Sequence, residues 1–166
     1  MPRDFPDAMV ALWGGAPVVA EWIRERLIRS LGCEVTLLAR DQSPAGYLAA
    51  RRVDLLVVIT PGFPSGLDRV FHEVRRGWPH TAIVLMTPSE NPRAHLLALA
   101  MGADDICPMP CSPWELVSRL RPWIERSALS RRLERERGRF RSLFDLSPEG
   151  LVAVRPDTLE IVEANQ

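Results

Sequence analysis

The stretch VDLLVVITPGFPSGLDRV, residues 53–70, decides how the chain folds. Five consecutive apolar residues, Leu55 to Ile59, stand between Asp54 and a Thr-Pro-Gly turn, and the run does not alternate with polar side chains. A strand of this kind is apolar on both faces and needs cover on both, which is the condition of a central strand in a parallel sheet flanked by helices. The segment that follows supplies one covering helix, since SGLDRVFHEVRRGW places Leu67, Val70, Phe71 and Val74 on a single face.

Working outward, the same unit recurs. AMVALW (8–13), EVTLLA (34–39), AIVLMT (82–87) and the weaker DICPM (105–109) are the other strand candidates. Helical patterns separate them. PVVAEWIRERLIRSLG carries Val18, Trp22, Leu27 and Leu31 as an apolar stripe, with Pro17 at the first turn and Gly32 at the stop. SPAGYLAARR starts at Ser43–Pro44, and PRAHLLALAMG puts Leu96, Leu97 and Leu99 on one face before Gly102. SPWEL spells a capping box with Ser112, Pro113 and Glu115. Five strand–helix repeats predict an α/β fold with a doubly wound parallel sheet. Such open sheets carry their functional groups at the carboxyl ends of the strands, here Gly14 and Gly15, Ile59 and Thr60, Thr87, and Met109.

With 166 residues the chain is long enough for one domain and an extension. No apolar run of membrane-spanning length occurs, and the start MPRDFPDAMV has neither the basic flank nor the apolar segment of a signal peptide, so a cytoplasmic location is expected. Cys33, Cys107 and Cys111 are odd in number and are expected to be free thiols. Cys107 and Cys111 lack a second pair of ligands at metal spacing, and no cofactor fingerprint is present, so no metal or cofactor is expected. His72 and His95 sit within helix patterns as ordinary half-buried positions. The net charge is zero but uneven: residues 119–141 hold 9 Arg against 3 acids, whereas residues 142–166 hold 1 Arg against 5. Lysine is absent from the sequence.

These segments bring a family into view. Residues 8 to about 126 resemble a response-regulator receiver domain, the CheY-like, flavodoxin-like module with strand order 2-1-3-4-5. The resemblance rests on VDLLVVITPGFPSGLDRV, similar to the family's phosphoacceptor strand, loop and helix, and on WPHTAIVLMTP, similar to its fourth strand. LALAMGADDICPMPCSPWEL follows its fourth helix, fifth strand and Lys-Pro turn. The resemblance implies an aspartate nucleophile, two further acids that hold magnesium, and a lysine. Here the two acids fall on Gly14 and Gly15, and the nucleophile falls on Ile59, or on Val58 if the shortened loop is gapped differently. The lysine position is Met109, while Thr87 and Pro110 keep the family's identities. An acyl phosphate needs a carboxylate, and magnesium needs oxygen ligands. The expectation is therefore a pseudo-receiver: a non-catalytic module of two-component, phosphorelay-type signalling that no longer accepts phosphate. The Met109–Pro110 bond is a candidate cis peptide by the same resemblance.

Past the receiver-like part, RPWIERSALSRRLERERGRFRSLFDL continues as helix, with Pro122 as a candidate kink. Leu129, Leu133, Phe140 and Leu143 follow heptad steps, although Glu136 occupies one seam position, and pairing with a second copy is expected. GRFRSLFDLSPEGLVAVRPDTLEIVEANQ resembles the opening of a PAS sensor domain, with a strand at GLVAV, a turn at RPDTLE and a strand ending near Asn165. The expected organisation is a receiver-like domain over 1–118, a signalling helix over 112–145, and the truncated start of a PAS domain over 146–166. A PAS and output domain is expected to follow Gln166, with residues 147–166 loosely ordered or paired through strand edges. The expected partners are a second copy, a protein of a bacterial signalling pathway and that output domain. A membrane is not expected. The alternatives are a receiver with a nonstandard phosphoacceptor and a nucleic-acid-binding regulator built on the arginine helix, for which no recognition motif is present.

Overall fold

The computed structural model describes residues 4–88, 92–147 and 149–165. The chain divides into two compact units, the first ending at Ala128 and the second beginning at Leu129.

The first unit alternates strand and helix: β1 (Met9–Gly14), α1 (Pro17–Leu31), β2 (Glu34–Leu38), α2 (Pro44–Ala50), β3 (Leu55–Ile59), α3 (Leu67–Gly77), β4 (Ala82–Thr87), α4 (Pro92–Met101), β5 (Asp105–Pro108) and the start of α5 (Pro113–Asp145). The sheet order is β2-β1-β3-β4-β5 and every pairing in it is parallel. This is the flavodoxin-like arrangement, with the order reversing between β1 and β3. All five residues of β3 are buried, as the unbroken apolar run requires.

Because side chains alternate across a strand, the sheet faces two separate cores. Val10, Leu12, Val57, Ile59, Val84 and Met86 pack with Ile23, Leu27 and Leu31 of α1 and Leu116, Leu120 and Ile124 of α5. On the other face Ala11, Leu56, Val58, Ile83 and Leu85 pack with Leu48 of α2, Phe71 and Val74 of α3, and Ala98 of α4.

The predicted starts and stops are present. Pro17 occupies the first turn of α1, and Gly32 closes it at φ +69° with its N–H on the Ile28 carbonyl. Ser43 Oγ accepts from Gly46 N at 3.3 Å and Ser112 Oγ accepts from Glu115 N at 3.1 Å, so both serines cap their helices. Two expected faces differ. Val18 is 81% exposed, and the buried stripe of α1 is Ala20, Ile23, Leu27 and Leu31, because at about 3.6 residues per turn Val18 falls on the opposite face of the helix, while Val19 packs on the core. On α4, Leu96, Leu97 and Leu99 are all exposed, while Ala98 is fully buried and Met101, three residues on, packs against the same core: the inward face is the one these two residues share. His72 is likewise exposed rather than half-buried.

Buried polar groups tie the layers together. Asp54 Oδ2 accepts from Met9 N at 2.8 Å, joining β1 to the entry of β3. Ser127 Oγ, also buried, reaches the carbonyls of Asp54 at 2.9 Å and His80 at 3.1 Å, anchoring α5 at the amino end of the sheet. Asp104 accepts from Ile83 N at 2.7 Å and pairs with Arg75, whose guanidinium also donates to the Gly102 and Thr81 carbonyls.

α5 runs through Pro122 to Asp145, and in the second unit an antiparallel pair follows it, β6 (Val152–Val154) with β7 (Ile161–Ala164). Residues 149–165 are thus folded on themselves rather than loose. Asn165 closes this unit: its amide Nδ2 donates to the carbonyls of Phe144, Ser147 and Glu149, and its Oδ1 accepts from Leu151 N at 2.6 Å. Phe144 is buried and stacks on Phe140 at 5.7 Å between ring centroids.

Candidate functional site

The carboxyl ends of β1, β3, β4 and β5 bring together Gly14, Gly15, Ile59, Thr87, Met109 and Pro110. Register places Gly14 opposite Ile59 and Ile59 opposite Met86, while Met109 N donates to the Thr87 carbonyl at 2.9 Å. Of the two positions left open for the nucleophile, Ile59 faces this mouth. Val58 points to the other face, into the core with α2 and α3.

The glycines are explained by Ile59. Gly14 has φ +83° and Gly15 φ +73°, backbone conformations that disfavour any residue with a Cβ. A Cβ on Gly15 would stand 2.6 Å from Ile59 Cγ2 and 2.9 Å from Ile59 Cβ. A Cβ on Gly14 would stand 2.6 Å from the Ile59 carbonyl oxygen. The isoleucine side chain therefore occupies the space above the turn that a side chain at 15 would enter. At this turn Ile59 and Gly15 form one apolar contact.

Around that contact the mouth is poor in charge. Met109 is half-buried against the core of the α1 and α5 face, and Met109–Pro110 is a cis peptide, as expected. Thr87 is fully buried and its Oγ1 has no hydrogen-bond partner among the described residues. Magnesium, which the fold family implies, does not fit these residues: a hard cation requires several oxygen ligands, and the mouth presents glycine, isoleucine and methionine. Among the described residues no three His, Cys, Asp or Glu side chains cluster so as to hold a metal.

Cys33, Cys107 and Cys111 are all free thiols. Burial pushes Cys33 up to about 11 and Cys107 up to about 12. Cys111, less buried, is also raised by desolvation. Cys107 Sγ lies 3.9 Å from the Pro108 carbonyl oxygen. A thiol raised in this way stays mostly protonated near neutral pH, which lowers its nucleophilicity.

Beside the mouth, toward α2 and α3, lies a crevice of about 540 Å³ bounded by Trp13, Gly14, Arg40, Val58, Ile59, Thr60 and the loop from Pro61 to Pro64, with Leu67. Sequence reasoning singled out the strand ends but not Trp13, Arg40 or Phe63. Trp13 and Arg40 close β1 and follow β2 at the point where strand order reverses, and that position was the available signal.

On α5, Leu129, Leu133, Phe140 and Leu143 are all exposed. Glu136 pairs with Arg132 at 3.1 Å. Among the described residues no helix is long and apolar enough to cross a membrane.

The fold is that of CheY-like receiver domains, and the comparisons agree with it. The solved structure of the chemotaxis protein CheY4 of Vibrio cholerae superposes with a TM-score of 0.60 at 19% identity, covering 69% of this chain and 97% of that one. HP1043, an orphan response regulator of H. pylori, gives 0.61 at 18% identity over 74% of this chain and 99% of that one. The signal receiver domain of an HD domain-containing protein from Pseudomonas fluorescens gives 0.61 at 21% identity over 73% and 97%. In sequence, the chain is 31% identical over 116 residues to the probable transcriptional regulatory protein TcrX of Mycobacterium tuberculosis, covering 69% of this chain. It spans about half, 48%, of that relative's length. No family model matches the chain.

Proposed function

We propose that the chain is a signalling module of two-component type in which the receiver-like unit acts without phosphorylation, as a non-enzymatic interaction and dimerisation domain. The receiver fold supports the two-component setting. The observation that carries the finer reading is the packing of Ile59 against Gly15, which puts hydrocarbon where phosphoryl transfer needs carboxylates. A doubly charged phosphoryl group at such a mouth would lack compensating charge.

The exposed row Leu129, Leu133, Phe140 and Leu143 supports a helix-paired homodimer. In this reading a change in packing of the first unit passes along α5 to residues 146–166, the opening of a PAS-like module. The antiparallel β6–β7 pair supports this reading. The domain division follows: receiver-like through the start of α5, then signalling helix, then PAS-like start. The input is a protein partner or the dimer equilibrium itself, and signalling requires only that such contacts favour one of two packings.

Beryllofluoride with magnesium, followed by backbone NMR on residues 1–166, tests phosphorylation independence. The expected spectrum is unchanged at Gly14, Thr87 and Met109. Saturable shifts clustered there would return the protein to the phosphoaccepting readers of this fold. Light scattering tests the dimer. Residues 1–166 should be twice the mass expected of one chain, and a chain ending at Ala128, which keeps the Ser127 anchor, should be monomeric; equal association states would remove α5 from that role.

A further inference from the structure

The crevice beside the mouth has the composition of a small-molecule site. Its volume, about 540 Å³, lies within the range of about 300–1,000 Å³ usual for ligand pockets. It lies at the carboxyl ends of β1 and β3, the switch point of the sheet. Its walls are mainly apolar and aromatic, from Trp13, Phe63, Val58, Pro64 and Leu67. Two kinds of polar group interrupt them. Arg40 is the sole formally charged lining residue; it is exposed and has no hydrogen-bond or ion-pair partner among the described residues. Thr60 contributes a hydroxyl whose oxygen already accepts, at 3.5 Å, from Gly62 N, so that its proton remains to be donated.

The ring of Trp13 forms part of the wall, while its Nε1 is out of solvent contact and has no hydrogen-bond acceptor among the described residues, so the indole offers the crevice its apolar surface. Every charged or donating group in the lining suits an anion, and no lining carboxylate suits a cation.

We propose that this crevice binds a small planar monoanion, an aromatic carboxylate of one or two rings. The rings lie against Trp13 and Phe63, and the carboxylate meets Arg40. A single guanidinium matches one negative charge, whereas a phosphate dianion among these apolar walls would be left half compensated. Ile59 contributes to both places: it fills the space over Gly15 and forms part of the crevice lining. Occupancy of the crevice gives the first unit a chemical input that needs neither magnesium nor a phosphodonor, and the inference stands whether or not α5 dimerises.

The test uses naphthoate as the probe with residues 1–166, without magnesium or beryllofluoride, read by ¹H–¹⁵N NMR. The Trp13 indole N–H is assigned by its loss in Trp13→Phe. Naphthoate should give saturable shifts at that indole and at Gly62 and Phe63, with a dissociation constant on the order of 1 mM for a ligand of this size. Naphthalenemethanol, neutral and of similar shape, should bind about fivefold more weakly, the factor for an exposed ion pair. Arg40→Gln should bring naphthoate to the level of the alcohol. Arg40→Glu should reverse the preference toward naphthylmethylammonium. Arg40 is exposed and unpaired, so both variants keep the fold. Shifts confined to Gly77 and Trp78 in the groove between α3 and α4, equal binding of the acid and the alcohol, or an Arg40→Gln affinity equal to that of the parent would each overturn the proposal.

Discussion

The contact between Ile59 and Gly15 can be measured by a double-mutant cycle. Gly15→Ala puts a Cβ into a backbone at φ +73°, which costs about 1–2 kcal/mol for an L-residue. It also forces that Cβ to within 2.6 Å of Ile59 Cγ2, an overpacking that adds about 1–3 kcal/mol. Ile59→Ala alone leaves a cavity under the turn and costs about 2–5 kcal/mol. In the double variant Cγ2 is gone, and the alanine at 15 has only the β-carbon of residue 59, 2.9 Å away, to displace. The two changes should then cost about 1–2 kcal/mol less than their sum, within the range of coupling between touching residues. Gly14→Ala is the internal control. Its Cβ meets the Ile59 carbonyl oxygen, which Ile59→Ala leaves in place, so that pair should be additive within about 0.5 kcal/mol. Urea unfolding followed by circular dichroism supplies all the free energies, provided the slopes stay constant across the variants. Additivity at Gly15, or equal coupling at both glycines, would refute the claim that the isoleucine side chain dictates the turn.

Other outcomes follow from particular contacts. Ser127→Ala removes a buried donor from the Asp54 and His80 carbonyls and should destabilise the first unit by about 1–3 kcal/mol in the same urea assay. For Cys107 burial pushes the folded thiol up to about 12 from the ordinary 9.0, so the unfolded chain loses its proton first. Stability from this group is intact below pH 9 and falls as pH rises from 9 toward 12; Cys107→Ala should flatten that part of the pH–stability curve. Glu136→Leu fills the polar gap in the row between Leu133 and Phe140 and should raise the dimer fraction in sedimentation equilibrium, whereas Leu133→Glu should lower it. Asn165→Ala deletes four hydrogen bonds that close the second unit, and amide exchange over residues 151–164 should accelerate with no change in β1 to β5.

The first unit could be read almost residue by residue where burial is total. A run such as Leu55–Ile59 permits no other use, because an unalternating apolar strand must be covered on both faces. Pro17, Ser43, Ser112 and Gly32 marked helix ends for reasons that act within a few residues. The reading weakened where neighbours decide. Apolar spacing on α4 predicted that Leu96, Leu97 and Leu99 face inward, yet in a helix apolar nearly all round periodicity cannot say which face is covered, and Ala98 and Met101 carry it. Val18 was misplaced because it stands about half a turn away from the face of Ile23, Leu27 and Leu31, a difference that an apolar residue's mere presence in the stretch does not reveal.

The linear order of residues determined the alternation of strands and helices, and it put glycine, isoleucine and methionine at positions 14, 15, 59 and 109, since those are matters of composition and local period. Only tertiary structure decided that Ile59 rather than Val58 faces the mouth, that its methyl group and carbonyl exclude a side chain from the turn, and that Trp13, Arg40 and Phe63 border one crevice. Positions separated by tens of residues become neighbours through the register of parallel strands, and that register is set by the packing of both sheet faces together rather than by any single segment.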